Sequence, residues 1–95
     1  MIVSFSVADN PEARRYELTA EEERIGFVTY RMEPGVIALL HAEVNPAHGR
    51  QGWGSRLVAG TLDDARERGL KVRPVCPFVV AYIARHPDYR DLVAE

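Results

Sequence analysis

Alternating apolar and polar residues predict β-strands in the first half of the chain. Segments 2–7, 14–19 and 24–32 alternate or are rich in β-branched and aromatic residues, and the apolar run VIALLHAEV forms segment 36–44. The turn-forming stretches ADNPEA, AEEE and EPG separate these four segments. Four antiparallel strands joined in chain order are the simplest arrangement of such segments.

From Gly54 onward the period becomes helical, and Gly69 suits the position just after a helix C-terminus. Segment 70–76 predicts a fifth strand, a helix covers 77–86, and a short turn covers 88–93. The strand–helix–strand crossover places the fifth strand parallel to the fourth. Pro74 has no N–H to donate, so incomplete pairing is expected there. The apolar positions of the first helix are Leu57, Val58, Thr61, Leu62 and Ala65.

These elements predict an α+β fold with a mixed five-stranded sheet, a crossover helix and C-terminal helices. A length of 95 residues predicts one domain, 1–95. The 12 Lys and Arg against 14 Asp and Glu argue against a protein that neutralises nucleic-acid phosphates, so a nucleic-acid or ribosome-associated role depends only on local arginines. The lack of a membrane-length apolar stretch or a secretory pattern predicts a cytoplasmic protein. One cysteine and three scattered histidines predict neither an internal disulfide nor a metal site.

The stretch NPAHGRQGWGSRL, residues 45–57, joins the fourth strand to the first helix. A glycine-rich strand-to-helix loop can bind a phosphate, because its N–H groups point outward and the helix dipole favours an anion. The dinucleotide-binding pattern Gly-x-Gly-x-x-Gly does not match, because Leu57 stands where its third glycine would be. The nucleoside-triphosphate loop does not match either, because it needs a lysine and this stretch has none. Two interpretations remain: a phosphate or pyrophosphate site with Arg50 and Arg56 beside it, or a tight turn without a ligand. The loop holds three of the seven glycines: Gly49, Gly52 and Gly54.

The stretch AEVNPAHGRQGWGSRLV resembles the acetyl-CoA pyrophosphate loop of the GNAT superfamily of N-acetyltransferases, whose pattern is Arg/Gln-x-x-Gly-x-Gly/Ala. The tail GLKVRPVCPFVVAYIARHPDYRDLV is similar to very small, truncated members of that superfamily. The resemblance covers residues 24–93. One position departs from the pattern: Gly49 occupies the Arg/Gln slot, and Arg50 and Gln51 are displaced from it.

The resemblance implies an acetyl-CoA-dependent transfer of an acetyl group to an amine acceptor. The fourth and fifth strands would splay apart, with the pantetheine arm in the gap near Glu43 and the diphosphate on loop N–H groups. Trp53 would cover part of the ligand or, as an alternative, anchor the core. A non-catalytic CoA-binding or protein-interaction module of the same fold is the other functional interpretation. The implied cofactor-binding residues are Val44, Arg50, Gln51, Gly52, Trp53, Gly54 and Ser55.

Acetyl transfer to an amine needs a group that removes the ammonium proton and an acid for the departing thiolate. His41 and Glu43 are candidate bases, because they alternate with Ala42 and share one face of the fourth strand. A solvated polar pair is the alternative interpretation. Tyr82 lies where many members of the superfamily keep a tyrosine acid, and it can equally be a packing aromatic.

Cys76 is a further candidate catalytic residue, because it directly precedes Pro77 at the expected N-cap of the second helix. Helix N–H groups stabilise a thiolate there. The thiol could protonate the departing CoA in a direct transfer, or carry the acetyl group itself in a ping-pong reaction. A small chain leaves little room for a second acceptor site, which favours direct transfer. A small buried hydrophobe is the structural alternative.

Overall fold

A computed structural model describes residues 4–49 and 52–94, which form an α+β arrangement. The strands are β1 (Phe5–Asn10), β2 (Arg15–Ala20), β3 (Glu23–Glu33), β4 (Val36–Val44) and β5 (Lys71–Pro74). The helices are α1 (Trp53–Glu67) and α2 (Pro77–Arg85), with short 3₁₀ helices at Pro46–His48 and Pro87–Leu92. In the described part of the chain, no helix is long and apolar enough to cross a membrane.

The sheet has the strand order β1-β2-β3-β4-β5. Strands β1 to β4 pair antiparallel, and β5 pairs parallel to β4 after the crossover through α1. The predicted mixed sheet and crossover are therefore confirmed. The outer edge of β5 is bridged by the C-terminal segment, where the Ala94 N–H donates to the Val72 carbonyl at 2.8 Å.

The second and third strands differ from the prediction by one residue at each end, and the larger differences are in the first and fifth strands. The predicted first strand is 2–7, whose residues 2 and 3 lie outside the described residues; β1 continues to Asn10, because its pairing with β2 extends to the Asn10–Arg15 pair. The turn therefore covers residues 11–14, and not the whole of ADNPEA. The fifth strand was expected at 70–76, but β5 ends at Pro74, because its register with β4 stops at Leu39.

Helix α1 packs against one face of the sheet through the apolar positions that the sequence predicted. Leu57, Val58, Thr61, Leu62 and Ala65 are all fully buried. Gly69 follows the helix with a φ of +71°, as expected of a residue just beyond a C-cap.

Helix α2 buries Val79 and Ile83 in the same hydrophobic core as α1. We call the sheet face opposite α1 the open face. On β3 it is lined by Phe27, Thr29 and Arg31, which alternate with the buried Val28 and Tyr30.

Candidate functional site

A gap opens beside the second half of β4. Strand β5 pairs only with residues 36–39 of β4, and the N–H groups of Val75 and Cys76 both donate to the Leu39 carbonyl at 3.0 Å. The chain then turns into α2, while β4 continues to Val44. In the described residues, 40–44 therefore have no strand beside them on this side.

A β-bulge fixes which side chains in the second half of β4 point to the core and which point to the open face. Thr29 pairs with His41 and Tyr30 pairs with Leu39, so Leu40 is an extra residue in β4. Before the bulge Leu39 points into the core, and after it Ala42 packs against the core. The bulge thereby directs His41 to the open face.

A cleft of about 190 Å³ lies where the end of β4 meets the first turns of α1 and α2. That volume lies below the range of drug-sized ligand sites, so the cleft suits a narrow chain better than a nucleotide. Its walls are mostly apolar. The lining residues are Ala42, Glu43, Val44, Gly54, Leu57 and Phe78.

The loop from β4 to α1 begins with the short 3₁₀ helix, which Asn45 caps by accepting the Ala47 N–H at 3.0 Å. Gly49 has φ −63° and ψ 155°, an extended conformation open to any residue. Gly52 is the N-cap of α1 with φ +76°, a left-handed conformation that favours glycine. The predicted ligand residues Arg50 and Gln51 lie outside the described residues.

Gly54 is favoured for a different reason, the close approach of the Phe78 ring from α2. A Cβ atom at Gly54 would lie 2.9 Å from Cζ of Phe78. The absence of that Cβ lets the phenyl ring sit across the first turn of α1, beside the cleft. Ser55 is exposed on the same turn.

Trp53 lies inside the core and is 6% exposed. Its ring meets Phe5 edge-on at a centroid distance of 5.8 Å, and the Arg56 guanidinium lies 4.7 Å from its centroid. This burial supports the interpretation of Trp53 as a core anchor.

His41 and Glu43 share the open face, as the alternation predicted. Nε2 of His41 lies 3.4 Å from Oε1 of Glu43, and both side chains are about 60% exposed. The His41 ring is also 6.4 Å from that of Phe27. Glu43 also lines the cleft, whereas His41 does not.

Cys76 is the N-cap of α2, as predicted, and is 4% exposed within the hydrophobic core. Its side chain makes no capping hydrogen bond. Cys76 is not among the residues that line the cleft, although its N–H binds the Leu39 carbonyl where the gap begins. Its burial supports a packing role, and its backbone lies where the gap begins.

Tyr82 lies one turn beyond Phe78 in α2 and packs away from the cleft. Its ring stacks on His86 at a centroid distance of 4.1 Å and lies 6.0 Å from Tyr89. Burial raises the pKa of Tyr82, and the nearby negative charge of Asp63 raises it further. Both effects make its hydroxyl a weaker acid.

Sequence reasoning missed three residues of the cleft, Ala42, Leu57 and Phe78, of which Phe78 contributes the aromatic ring. Phe78 is 44% exposed, which is unusual for a large aromatic residue. It does not belong to the buried positions of α2, which are Val79 and Ile83. The only sequence signal was an aromatic residue at the second position of a helix that directly follows the fifth strand. Glu43, Val44 and Gly54 are the predicted residues that the structure brings together at the cleft.

The sequence pattern of the GCN5-related N-acetyltransferase family matches residues 15–92. No curated protein matches the chain. A GCN5-like protein from Staphylococcus aureus, solved by NMR, is 23% identical with a TM-score of 0.70, over 94% of this chain and 87% of that chain.

Two further solved structures share the fold. The ribosomal-protein-S18-alanine N-acetyltransferase of Escherichia coli is 17% identical with a TM-score of 0.64, over 92% of this chain and 76% of that one. A Bacillus subtilis acetyltransferase in complex with CoA is 15% identical with a TM-score of 0.58, over 77% and 64% of the two chains. These likenesses establish the fold, and the family match extends over most of the chain. The chain therefore belongs to the GCN5-related N-acetyltransferase family.

Proposed function

We propose that the protein is an acetyl-CoA-dependent N-acetyltransferase that acts by direct attack of an amine on the thioester. The observation that carries this proposal is the cleft beside the unpaired end of β4, bordered by Gly54 and Phe78. Family membership supports the reaction class. We place the enzyme in the cytoplasm, where a chain with a single cysteine needs no internal disulfide.

The residues around the gap fit the two ends of a CoA molecule. A narrow apolar cleft suits the pantetheine arm, and the unpaired backbone of β4 near Val44 suits its amide groups. The N–H groups of Gly54 and Ser55 lie in the first turn of α1, where helix geometry provides no carbonyl partner, and they suit the diphosphate. Acetyl-CoA supplies the activated acyl group, and the chain supplies orientation and proton transfer.

We assign proton removal to Glu43, because its carboxylate lies on the open face while the residue also borders the cleft. His41 is the second candidate, within 3.4 Å of that carboxylate. An acceptor ammonium group must lose its proton before nitrogen can attack, so a base at this position would act early in the reaction.

We assign protonation of the departing thiolate to Cys76 over Tyr82. The Cys76 backbone is bound to Leu39, the last β4 residue that β5 covers, whereas Tyr82 stacks on His86. Direct transfer requires no acetylated enzyme, which agrees with the burial of the thiol.

One observation favours the alternative of a CoA-binding module without turnover. Of the four candidate catalytic residues, only Glu43 lines the cleft. The alternative predicts acetyl-CoA binding with no release of CoA thiol when amines are added.

The assignment is tested by following CoA release from acetyl-CoA with a panel of small amines and peptides, for wild type, His41→Gln and Glu43→Gln. We expect the wild-type rate to rise with pH. Glu43→Gln is expected to lower the rate about 100-fold, within the range of general-base contributions, and to remove the rise. Equal rates and pH profiles in all three proteins would show that His41 and Glu43 are a solvated surface pair without a catalytic role.

A further inference from the structure

A second concave site lies at the other end of β5, beside the C-terminal segment. It is a groove of about 630 Å³ lined by Val36, Lys71, Arg73, Arg90, Asp91, Val93 and Ala94. We call it the β5 groove. Its volume falls within the range of small-molecule sites.

Strand geometry directs two cations into the β5 groove. Lys71 and Arg73 flank Val72, which is fully buried, so both side chains point away from the core. They pair in register with Val36 and Ala38 of β4. Arg90 approaches from the final 3₁₀ helix.

The acidic residue of the groove is already neutralised. Both carboxylate oxygens of Asp91 accept from Arg66, at 2.8 and 3.1 Å. These hydrogen bonds hold the pKa of Asp91 below its ordinary value. Asp91 and Arg66 together therefore add no net charge to the groove.

The cations of the groove are under-compensated in the described residues. Lys71 Nζ donates at 2.6 Å to the backbone carbonyl of Asp91, which is neutral. Arg73 shares the single carboxylate of Glu33 with Arg31, at 3.1 and 2.9 Å. No ion pair with Arg90 is present among residues 4–49 and 52–94. The groove thus holds three cations: Lys71 and Arg90 form no ion pair among the described residues, and Arg73 shares one carboxylate with Arg31, in a chain whose net charge is −2.

We propose that the β5 groove binds a phosphorylated small molecule of about nucleotide size, at a site separate from the cleft beside β4. A guanidinium group matches a phosphate with paired N–H donors, and an ammonium group adds a point charge. Val36 and Val93 give the groove apolar walls for the body of the ligand. The proposal stands independently of acetyl transfer, because none of its residues borders the cleft.

The test is a titration of the ¹⁵N-labelled protein with pyrophosphate, ADP, adenosine and citrate at low salt, following the amide signals of Val72 and Ala94. We expect saturable shifts with pyrophosphate and ADP, with ADP the tighter ligand, and none with adenosine. Lys71→Gln and Arg90→Gln should each weaken binding about tenfold, the scale of one lost hydrogen bond to a charged group. Added salt should weaken it in wild type.

Two variants make the outcome specific. Lys71→Arg keeps the charge and should retain binding even if the bond to the Asp91 carbonyl changes. Arg24→Gln removes an exposed arginine whose partner is Glu17, on another part of the sheet, and should leave the affinity unchanged. The proposal is overturned if pyrophosphate gives no saturable shift, if Lys71→Gln and Arg90→Gln bind as tightly as wild type, or if citrate binds as tightly as pyrophosphate.

Discussion

A Cβ atom on Gly54 would lie 2.9 Å from Cζ of Phe78, so the phenyl ring rests on the bare backbone of α1 at the edge of the cleft. The contact joins the first turns of the two helices where β4 has lost its neighbour. We conclude that Gly54 is glycine to admit this ring, whereas Gly52 is glycine for its positive φ.

Gly54→Ala is expected to raise the acetyl-CoA dissociation constant about 10- to 100-fold, because one methyl group and the displaced ring intrude into a small cleft. The fold should tolerate the change, since the ring tip can move and alanine favours a helix by about 1 kcal/mol. Calorimetric titration of Gly54→Ala, Phe78→Ala and the double variant with acetyl-CoA measures the coupling between the two residues in ligand binding. Strictly additive effects of the two changes would contradict this account.

Gly60→Ala in the same helix is the matched control. A Cβ there would lie 2.7 Å from both Cβ and Cγ2 of Val7, which the strand holds in place. The variant should therefore lose about 1 to 3 kcal/mol of unfolding free energy. The ligand affinity of its folded fraction should match wild type.

A polar cluster between α1 and the sheet predicts a loss of stability at alkaline pH. The Tyr30 hydroxyl donates to Asp9 at 2.6 Å and the Tyr16 hydroxyl donates to Asp64. Arg68 bridges the two carboxylates at 3.1 and 3.0 Å. Burial and then the bond to Asp9 raise the pKa of Tyr30 to about 12, and burial and Asp64 raise the pKa of Tyr16 as well.

A raised pKa means that the folded state holds its proton more tightly than the unfolded state. The stabilisation is complete below pH 10, the ordinary pKa of tyrosine, and is lost as the pH rises toward the folded value. Urea unfolding from pH 8 to 12 should show a decline of up to about 1.4 kcal/mol per pH unit for each tyrosine. Tyr16→Phe/Tyr30→Phe should flatten this decline. An equally steep decline in that variant would refute the assignment.

Cys76 is expected to act as an acid and not as an acetyl carrier. Incubation of the protein with acetyl-CoA and no acceptor should leave the protein mass unchanged, because direct transfer forms no acetylated enzyme. Cys76→Ser should keep acetyl-CoA binding and slow transfer, since a hydroxyl is a far weaker acid. An acetyl adduct on Cys76 would establish ping-pong transfer instead, and full activity of the variant would leave Cys76 a packing residue.

The periodic elements were predictable because their signals are local. The apolar spacing of α1 and the αL glycine after it needed no knowledge of partners. The end of β1 and the length of β5 depend on pairing with β2 and β4, which one segment does not reveal. The bulge at Leu40 is invisible in the apolar run VIALLHAEV for the same reason.

The candidate site was only partly predictable, since clefts form between elements distant in sequence. The resemblance pointed to Val44 and Gly54, and both border the cleft. Phe78 and Leu57 read as ordinary helix residues, because their role arises from the packing of α2 beside α1. Trp53 stands in a conspicuous loop and is nevertheless buried, as its contacts with Phe5 and Arg56 explain.

The most direct test of the central claim is the melting temperature with and without acetyl-CoA, measured for the wild type and for Gly54→Val. At about 100 times its dissociation constant the ligand should add about 2.7 kcal/mol, a rise of about 10 to 20 °C for a domain of this size. Gly54→Val, which fills the cleft, should show little of this rise. An unchanged melting temperature of the wild type with millimolar acetyl-CoA, or the same rise in Gly54→Val, would contradict the account.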